Sequence, residues 1–293
     1  MIYIITHLKS IVLFPIGQVF YNSLKDNGYD AKHLQLMEIN DRIYKKGDFV
    51  IIIGAGRFPN FNVEQKQENV KYVLWQSEQL PMRSEELEKS EVGKKRLNTL
   101  EKLLPFYDYY FDYYPSQISF MEKRGWKVDG CVPLGYHKTL DYTDKFDLQT
   151  KWDVVFMGTM SERRKRQFNN IKKRCNVFPN NSSWGLDFYK ILSQTKIGLN
   201  IHFEYLDTLE FWRILNYLCN KKLIVSEIIV SPEPLINGRH FIMAQRNEFV
   251  DVVDQTVKNY EELKNIAVCG YNFIKNEYKF NDMIREMMVI LND

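Results

Sequence analysis

A glutamate and an arginine three residues apart stand at the head of an apolar helix in the run Thr208-Leu209-Glu210-Phe211-Trp212-Arg213-Ile214-Leu215-Asn216. A second polar pair, Ser226-Glu227, closes the strand that follows. Positions i and i+3 share a helix face, so carboxylate and guanidinium lie side by side at the helix start. The helix N-terminus and Arg213 suit a diphosphate, while Glu210 and Glu227 can accept hydrogen bonds from ribose or sugar hydroxyls. Taken alone, the same residues serve equally well as an exposed ion pair beside a core strand, so the neighbouring segments decide.

Two of them add chemistry. In Asp153-Val154-Val155-Phe156-Met157-Gly158-Thr159-Met160-Ser161-Glu162-Arg163-Arg164-Lys165-Arg166 a buried strand ends in Gly158-Thr159 and a helix opens just beyond. Such a turn lets backbone approach a phosphate, and at most one or two of Arg163, Arg164, Lys165 and Arg166 would point to a ligand. The other basic residues, with Lys172, Lys173 and Arg174, are expected to meet solvent, an acidic acceptor or an anionic surface. In Lys196-Ile197-Gly198-Leu199-Asn200-Ile201-His202 the two polar side chains Asn200 and His202 alternate with apolar neighbours and share a face near the strand's carboxyl end, where α/β proteins bind ligands. In the first half, His7 follows the first strand and Glu78 follows Trp75. Either could act as a general base or hold an acceptor. Gly54-Ala55-Gly56 also follows a strand, but Pro59 takes the place of the third glycine of a dinucleotide fingerprint, so it reads as a loop.

The elements that must position these groups alternate between strand and helix. The first half gives strands at 2–6, 33–37, 49–53, 72–75, 107–113 and 128–134, with helices through 19–24 and 84–104. The second gives strands at 152–157, 176–178, 197–202, 223–226 and 241–244. Helices there fall at 162–174, 185–193 and 209–219, and a helical tail at 248–291 is broken near Gly270 and Phe280. This alternation implies parallel sheets, and predicts two tandem Rossmann-like α/β domains facing a cleft: 1–140, a polar linker at 141–151, and 152–293 including the tail. With 293 residues there is enough chain for two cores, and 45% hydrophobic with 26% charged residues is a globular balance. A net charge of +3 gives no case for nucleic acid. The four cysteines form no CxxC pair, which predicts neither zinc site nor disulfide. No stretch reaches the roughly 20 apolar residues of a membrane helix, so the expected location is the cytosol.

Read in order, Met157-Gly158-Thr159 with Arg163-Arg164, Gly198-Leu199-Asn200-Ile201-His202, Glu210-x-x-Arg213, and Val225-Ser226-Glu227 with Pro234 and Gly238 resemble the nucleotide-binding domain of GT-B-fold glycosyltransferases. The nearest are the group 1 and CgeB-like transferases. Trp75-Gln76-Ser77-Glu78-Gln79-Leu80 and Val132-Pro133-Leu134-Gly135-Tyr136-His137 are similar to their acceptor-side segments. The resemblance implies a nucleotide-diphosphate sugar as donor, held by the second domain, and a glycan or glycolipid acceptor held by the first. It implies no metal and no further cofactor. Its donor site would comprise Gly158, Thr159, Arg163, Asn200, His202, Glu210, Arg213, Ser226 and Glu227, with His7 and Glu78 as catalytic candidates. The sequence departs from that pattern at Asn216, where the family carries glutamate, and Glu210 stands as its substitute. Sugar transfer to modified DNA bases, and a two-lobed protein that binds a small ligand without turning it over, are the competing readings.

Overall fold

The computed structural model describes residues 1–7, 10, 12–35, 42–54, 66–83, 89–146, 148–179, 183, 185–203 and 206–293. Six segments form the first sheet: Ile2–Thr6 (β1), Ala31–Gln35 (β2), Phe49–Ile53 (β3), Lys71–Gln76 (β4), Tyr109–Asp112 (β5) and Gly130–Cys131 (β6). Their order is β2-β1-β3-β4-β5-β6, and every neighbouring pair is parallel. β1 is buried at all five residues and β3 at all but Phe49, as expected of strands covered on both faces. Helix α1 (Leu13–Asp26) turns Leu13, Ile16, Val19, Phe20 and Leu24 inward at helical spacing. Helix α2 (Glu91–Leu103) starts at Ser90, whose hydroxyl accepts from the Gly93 amide at 2.9 Å, and α3 (Pro115–Glu122) starts on a proline that needs no amide partner.

The second sheet runs β10-β9-β8-β7, again parallel throughout, from Trp152–Val155 (β7), Thr195–Asn200 (β8), Leu223–Glu227 (β9) and Ile242–Ala244 (β10). Around it lie Glu162–Lys172 (α4), Leu186–Ser193 (α5), Phe211–Cys219 (α6), Phe249–Lys258 (α7), Tyr260–Leu263 (α8) and Asn265–Glu277 (α9). Parallel pairing brings all the carboxyl ends to one edge. Register sets Asn200 opposite Ser226 there.

Several expectations need correcting. The strand at 176–178 is a single bridge, Val154 to Val177, because Pro179 cannot extend the ladder, and the strand at 128–134 shrinks to Gly130–Cys131 ahead of Pro133. Gly270 does not break the tail. It lies inside α9, where a Cβ would come 2.6 Å from Leu218 Cδ2 and 2.7 Å from the His240 carbonyl, so its missing side chain permits close packing. Residues 36–37, 55–56, 59 and 84–88, on which parts of the predicted strand, loop and helix fall, lie outside the described residues.

The division of the chain also differs from the predicted one. One compact unit comprises Met1–Pro133 with Phe280–Asp293, the other Leu134–Lys279. The polar segment expected as a linker is packed within the second unit. There the Asp141 carboxylate accepts from the hydroxyls of Tyr136 and Tyr271 at 2.8 Å each, and the Tyr142 ring stacks 4.0 Å from that of Tyr189. The last helix, Phe280–Asn292 (α10), returns to the first unit. Its Phe280 meets Phe20 edge to face at 4.9 Å, and Asn281 accepts from the Ser23 hydroxyl at 2.8 Å and the Asn27 amide at 3.0 Å. Among the described residues no helix is long and apolar enough to cross a membrane, and the four cysteines are free.

Because Phe280 is fully buried in the first unit, Phe280→Ala is expected to destabilise that unit by about 3–5 kcal/mol, read as a lower urea midpoint. A loss below about 1 kcal/mol would mean that α10 is peripheral to it.

Candidate functional site

At the carboxyl edge of the second sheet three turns converge: Phe156–Thr159 after β7, Ile201–Phe203 after β8, and the Ser226-Glu227 end of β9. Helix α4 brings Arg163 and Arg164 to them in its first turn, capped by the Ser161 hydroxyl, and α6 brings Glu210 at its N-cap and Arg213 one turn on. The predicted i,i+3 pair is present: Arg213 Nη1 lies 2.6 Å from Glu210 Oε2.

The pair is not an exposed ornament. Arg164 Nη2 donates to both Glu210 oxygens, at 2.8 and 3.1 Å, while its Nε donates to the Ile201 carbonyl at 2.8 Å and its Nη1 to the Thr159 carbonyl at 2.9 Å. Arg213 Nε donates to the Met157 carbonyl at 2.7 Å, and its Nη1 also donates to Asn200 Oδ1 at 2.6 Å. The Asn200 amide in turn donates to the Ser226 hydroxyl, which donates to the Glu227 carbonyl. Both guanidinium groups lie over the Phe156 ring, at 5.1 and 4.9 Å from its centroid. Arg163 is bound to the Glu227 carboxylate and donates to the His202 carbonyl at 2.7 Å. His202 closes the circle: its amide donates to Glu227 Oε2 at 2.8 Å and its Nε2 donates to the Ile228 carbonyl at 2.8 Å. The carbonyl can only accept, so Nε2 carries a proton, and Nδ1 lies 3.6 Å from Glu210 Oε1.

Three guanidinium groups against two carboxylates leave the cluster with one surplus positive charge. Burial by itself would raise the Glu210 carboxyl, but Arg213 and Arg164, with His202, outweigh it and hold the group well below the usual range. Burial pulls Arg164 down to about 10, opposed by Glu210, so it remains a cation at neutral pH.

Exposure separates two layers. Asn200, His202, Ser226 and Glu227 are fully enclosed and Arg164 is 3% exposed, whereas Arg213, Glu210 and Arg163 keep 12%, 16% and 17% of their side-chain surface. The enclosed residues therefore hold the other three in place. Thr159 is exposed, and Gly158 is buried with φ +149, where a Cβ would lie 2.8 Å from Arg213 Nη2. Sequence reading named Arg163 as the ligand-facing cation and passed over Arg164. The signal was present, since Arg164 falls on the same face of α4 as Phe168 and Ile171. Asn216 is occupied within the fold: it accepts from the Tyr189 hydroxyl at 2.7 Å and donates to the Trp212 carbonyl at 2.7 Å.

In the first unit, His7 follows β1 and Glu78 follows β4, both at the carboxyl edge of that sheet. Glu78 pairs with Arg96 Nη2 at 2.8 Å. Its loop is held by Gln117, which accepts from the Leu80 amide at 2.6 Å and donates to the buried Asp112 carboxylate at 3.1 Å. Burial pushes Asp112 up to about 7, against the hydrogen bonds from Tyr114, Tyr110 and Gln117. Among the described residues, no group of three or more His, Cys, Asp or Glu side chains is placed to hold a metal ion.

No protein-family model and no curated protein matches the sequence. Among solved structures the chain is similar to Anabaena Alr3699/HepE in complex with UDP and glucose, with a TM-score of 0.70 and 7% identity over 100% of this chain and 99% of that one. It is similar to a glycosyltransferase from Rickettsia africae ESF-5, at TM-score 0.60 and 14% identity over 99% and 97%. It is also similar to TarM, at TM-score 0.61 and 11% identity over 85% of this chain, which spans only 55% of that longer one. What is shared at such identities is the fold: two Rossmann-like parallel-sheet domains of the GT-B architecture, as the sequence predicted.

Arg164→Met takes one of its two guanidinium partners from Glu210 and the Arg164 donors from the Ile201 and Thr159 carbonyls, so it is expected to cost about 3–5 kcal/mol. Adding Glu210→Gln should restore part of that loss in a double-mutant cycle of urea midpoints, and strict additivity would show that the two side chains are uncoupled. For Asp112 the folded-state pKa is raised, so its contribution is full below the ordinary carboxylate range near about 4 and is lost as the pH rises through about 7. Asp112→Asn should flatten the decline in urea midpoint over that window, and an unchanged slope would assign it elsewhere.

Proposed function

On the premise of a GT-B fold, we propose that the protein is a glycosyltransferase moving a sugar from a nucleotide diphosphate to a hydroxyl of a glycan or glycolipid, in the manner of group 1 and CgeB-like enzymes. The observation that carries this reading is the buried Arg164–Glu210–Arg213 cluster at the carboxyl edge of a parallel sheet, where α/β proteins bind ligands. Within it, Arg213 Nη2 meets no acceptor among the described residues and lies beside Gly158, while the other two nitrogens are used. That nitrogen, the Gly158-Thr159 backbone and Arg163 form the diphosphate seat. Glu210, ionised across the working range, accepts hydrogen bonds from donor hydroxyls through its remaining lone pairs.

Fixed positive charge supports a metal-independent departure of the diphosphate, because the guanidinium groups are already oriented when negative charge develops. The acceptor is held by the first unit, where His7 and Glu78 are the candidates to take the hydroxyl proton. Complexes of HepE with UDP and with UDP-glucose support a uridine donor as the first to try. The exposed cations Arg166, Lys172 and Lys173 on and just after α4 favour peripheral contact with an anionic surface, and the absence of a spanning helix among the described residues is compatible with action in the cytosol.

A thermal-shift screen against UDP, GDP, ADP, CMP and their sugar conjugates, without added metal, tests the donor site. Ligand at about 100 times its Kd contributes ~2.7 kcal/mol, which raises Tm by several degrees. The shift is expected with one nucleotide and should be lost in Arg213→Ala, a weakening of about tenfold or more. No shift with any nucleotide would overturn the proposal, and a bound sugar nucleotide returned intact after prolonged incubation with candidate acceptors would favour a binding protein.

A further inference from the structure

A cavity of about 250 Å³ opens in the first unit, at the amino ends of the strands and therefore at the opposite edge of the sheet from His7 and Glu78. The turn Leu104–Phe106 after α2 and the turn that follows α3 form its walls. Its apolar lining is Leu104 and Pro105 with the rings of Tyr107, Tyr109 and Trp126. Arg124 lies over one face of the Trp126 indole, 5.6 Å from its centroid, and steadies the ring.

Two carboxylates, Asp108 and Asp129, line it together with Lys127, whose ammonium lies 5.7 Å from the Tyr109 ring centroid, and both carboxylates are fixed and paired. Asp108 Oδ2 accepts from the Tyr72 amide at 2.7 Å and pairs with Lys66 at 3.2 Å. Asp129 Oδ2 accepts from the Tyr110 amide at 2.8 Å, while its Oδ1 pairs with Lys127 at 2.6 Å. Each carboxylate has about four lone-pair sites, so acceptor capacity remains after these bonds.

This combination selects among ligand classes. A phosphate or nucleotide would need unpaired cations, and the lysines here are already matched to carboxylates. A purely apolar ligand would leave the carboxylates without new donors. A pyranose ring satisfies both, since its C–H face packs on the negative face of an aromatic ring while its hydroxyls donate to fixed carboxylates. The volume is below the roughly 300–1,000 Å³ of drug-sized ligand sites and has room for one such ring. We propose that this aromatic cavity with its charge-neutral carboxylate rim is a binding site for one neutral hexopyranose unit of a glycan. The inference goes beyond the donor-site reading and does not depend on it: the sugar here is held, with no bond made or broken.

The test uses the full chain labelled with 5-fluorotryptophan, whose five residues include Trp126, the resonance being assigned with Trp126→Phe. Methyl glucoside, methyl galactoside, N-acetylglucosamine, maltotetraose and cellotetraose are titrated in turn, with UDP as a separate arm. Saturable movement of the Trp126 resonance with at least one sugar is expected and should be retained in Arg213→Ala, while the affinity for that sugar, read by calorimetry, should fall about tenfold in Trp126→Ala. A Trp126 resonance unmoved by every sugar up to its solubility, equal movement of all five, or unchanged affinity in Trp126→Ala would overturn the proposal. So would a response to UDP of the same size. If Trp126→Ala does not fold, the resonance in the unaltered protein decides.

Discussion

The second unit depends on one carboxylate held between two guanidinium groups. Glu210 sits at the start of a helix with a guanidinium on either side, and each of those guanidinium groups also binds a backbone carbonyl in the turns beyond β7 and β8. An ion pair taken out of water carries a desolvation cost that its mutual attraction repays only with good geometry and full hydrogen bonding. Here the geometry is supplied by carbonyls that parallel strands leave free at their carboxyl ends. The arginines thereby satisfy backbone acceptors and the carboxylate together, and the cluster fixes three turns relative to one another.

That arrangement separates rigidity from contact. Asn200, Ser226, Glu227, His202 and Arg164 are enclosed and hydrogen-bonded, so their side chains are confined to one conformation. Arg213, Glu210 and Arg163 are held by them yet keep surface. A group that is immobile before a ligand arrives loses little entropy on binding, and a fixed dipole or charge needs no reorganisation when charge develops on the ligand. The surplus of one positive charge in a site shielded from water suits an anionic group more than an isolated surface arginine would.

The first unit uses the same device with neutral partners. Asp112, protonated in part at neutral pH, anchors Gln117, and Gln117 holds the loop that carries Glu78. The unit is completed by a helix from the far end of the chain, since α10 covers Phe20 with Phe280 and ties Asn281 to α1. Each unit thus has its own core and its own polar layer at the carboxyl edge of its sheet, with the last fourteen residues, 280–293, contributed across the sequence.

Much of this is readable along the chain. Strands such as Phe49–Ile53 are continuous apolar runs that have no stable place except between two covering layers, and the alternation with helices commits them to parallel pairing. The Glu210–Arg213 pair and the shared face of Asn200 and His202 follow from helix and strand periodicity alone. Other features needed the folded chain. Polarity at 141–151 looks like a linker because sequence does not show that Asp141 will be met by Tyr136 and Tyr271. Gly270 looks like a break because nothing local reveals that Leu218 and His240 pass within contact distance. Arg164 looks like one cation in a basic run, and Phe280–Asn292 like the end of a tail. Periodicity determines which way a side chain faces on its own element. Which partner waits on that side, and hence whether a charge is solvent-screened or buried and paired, is decided by elements distant in sequence that only tertiary packing brings together.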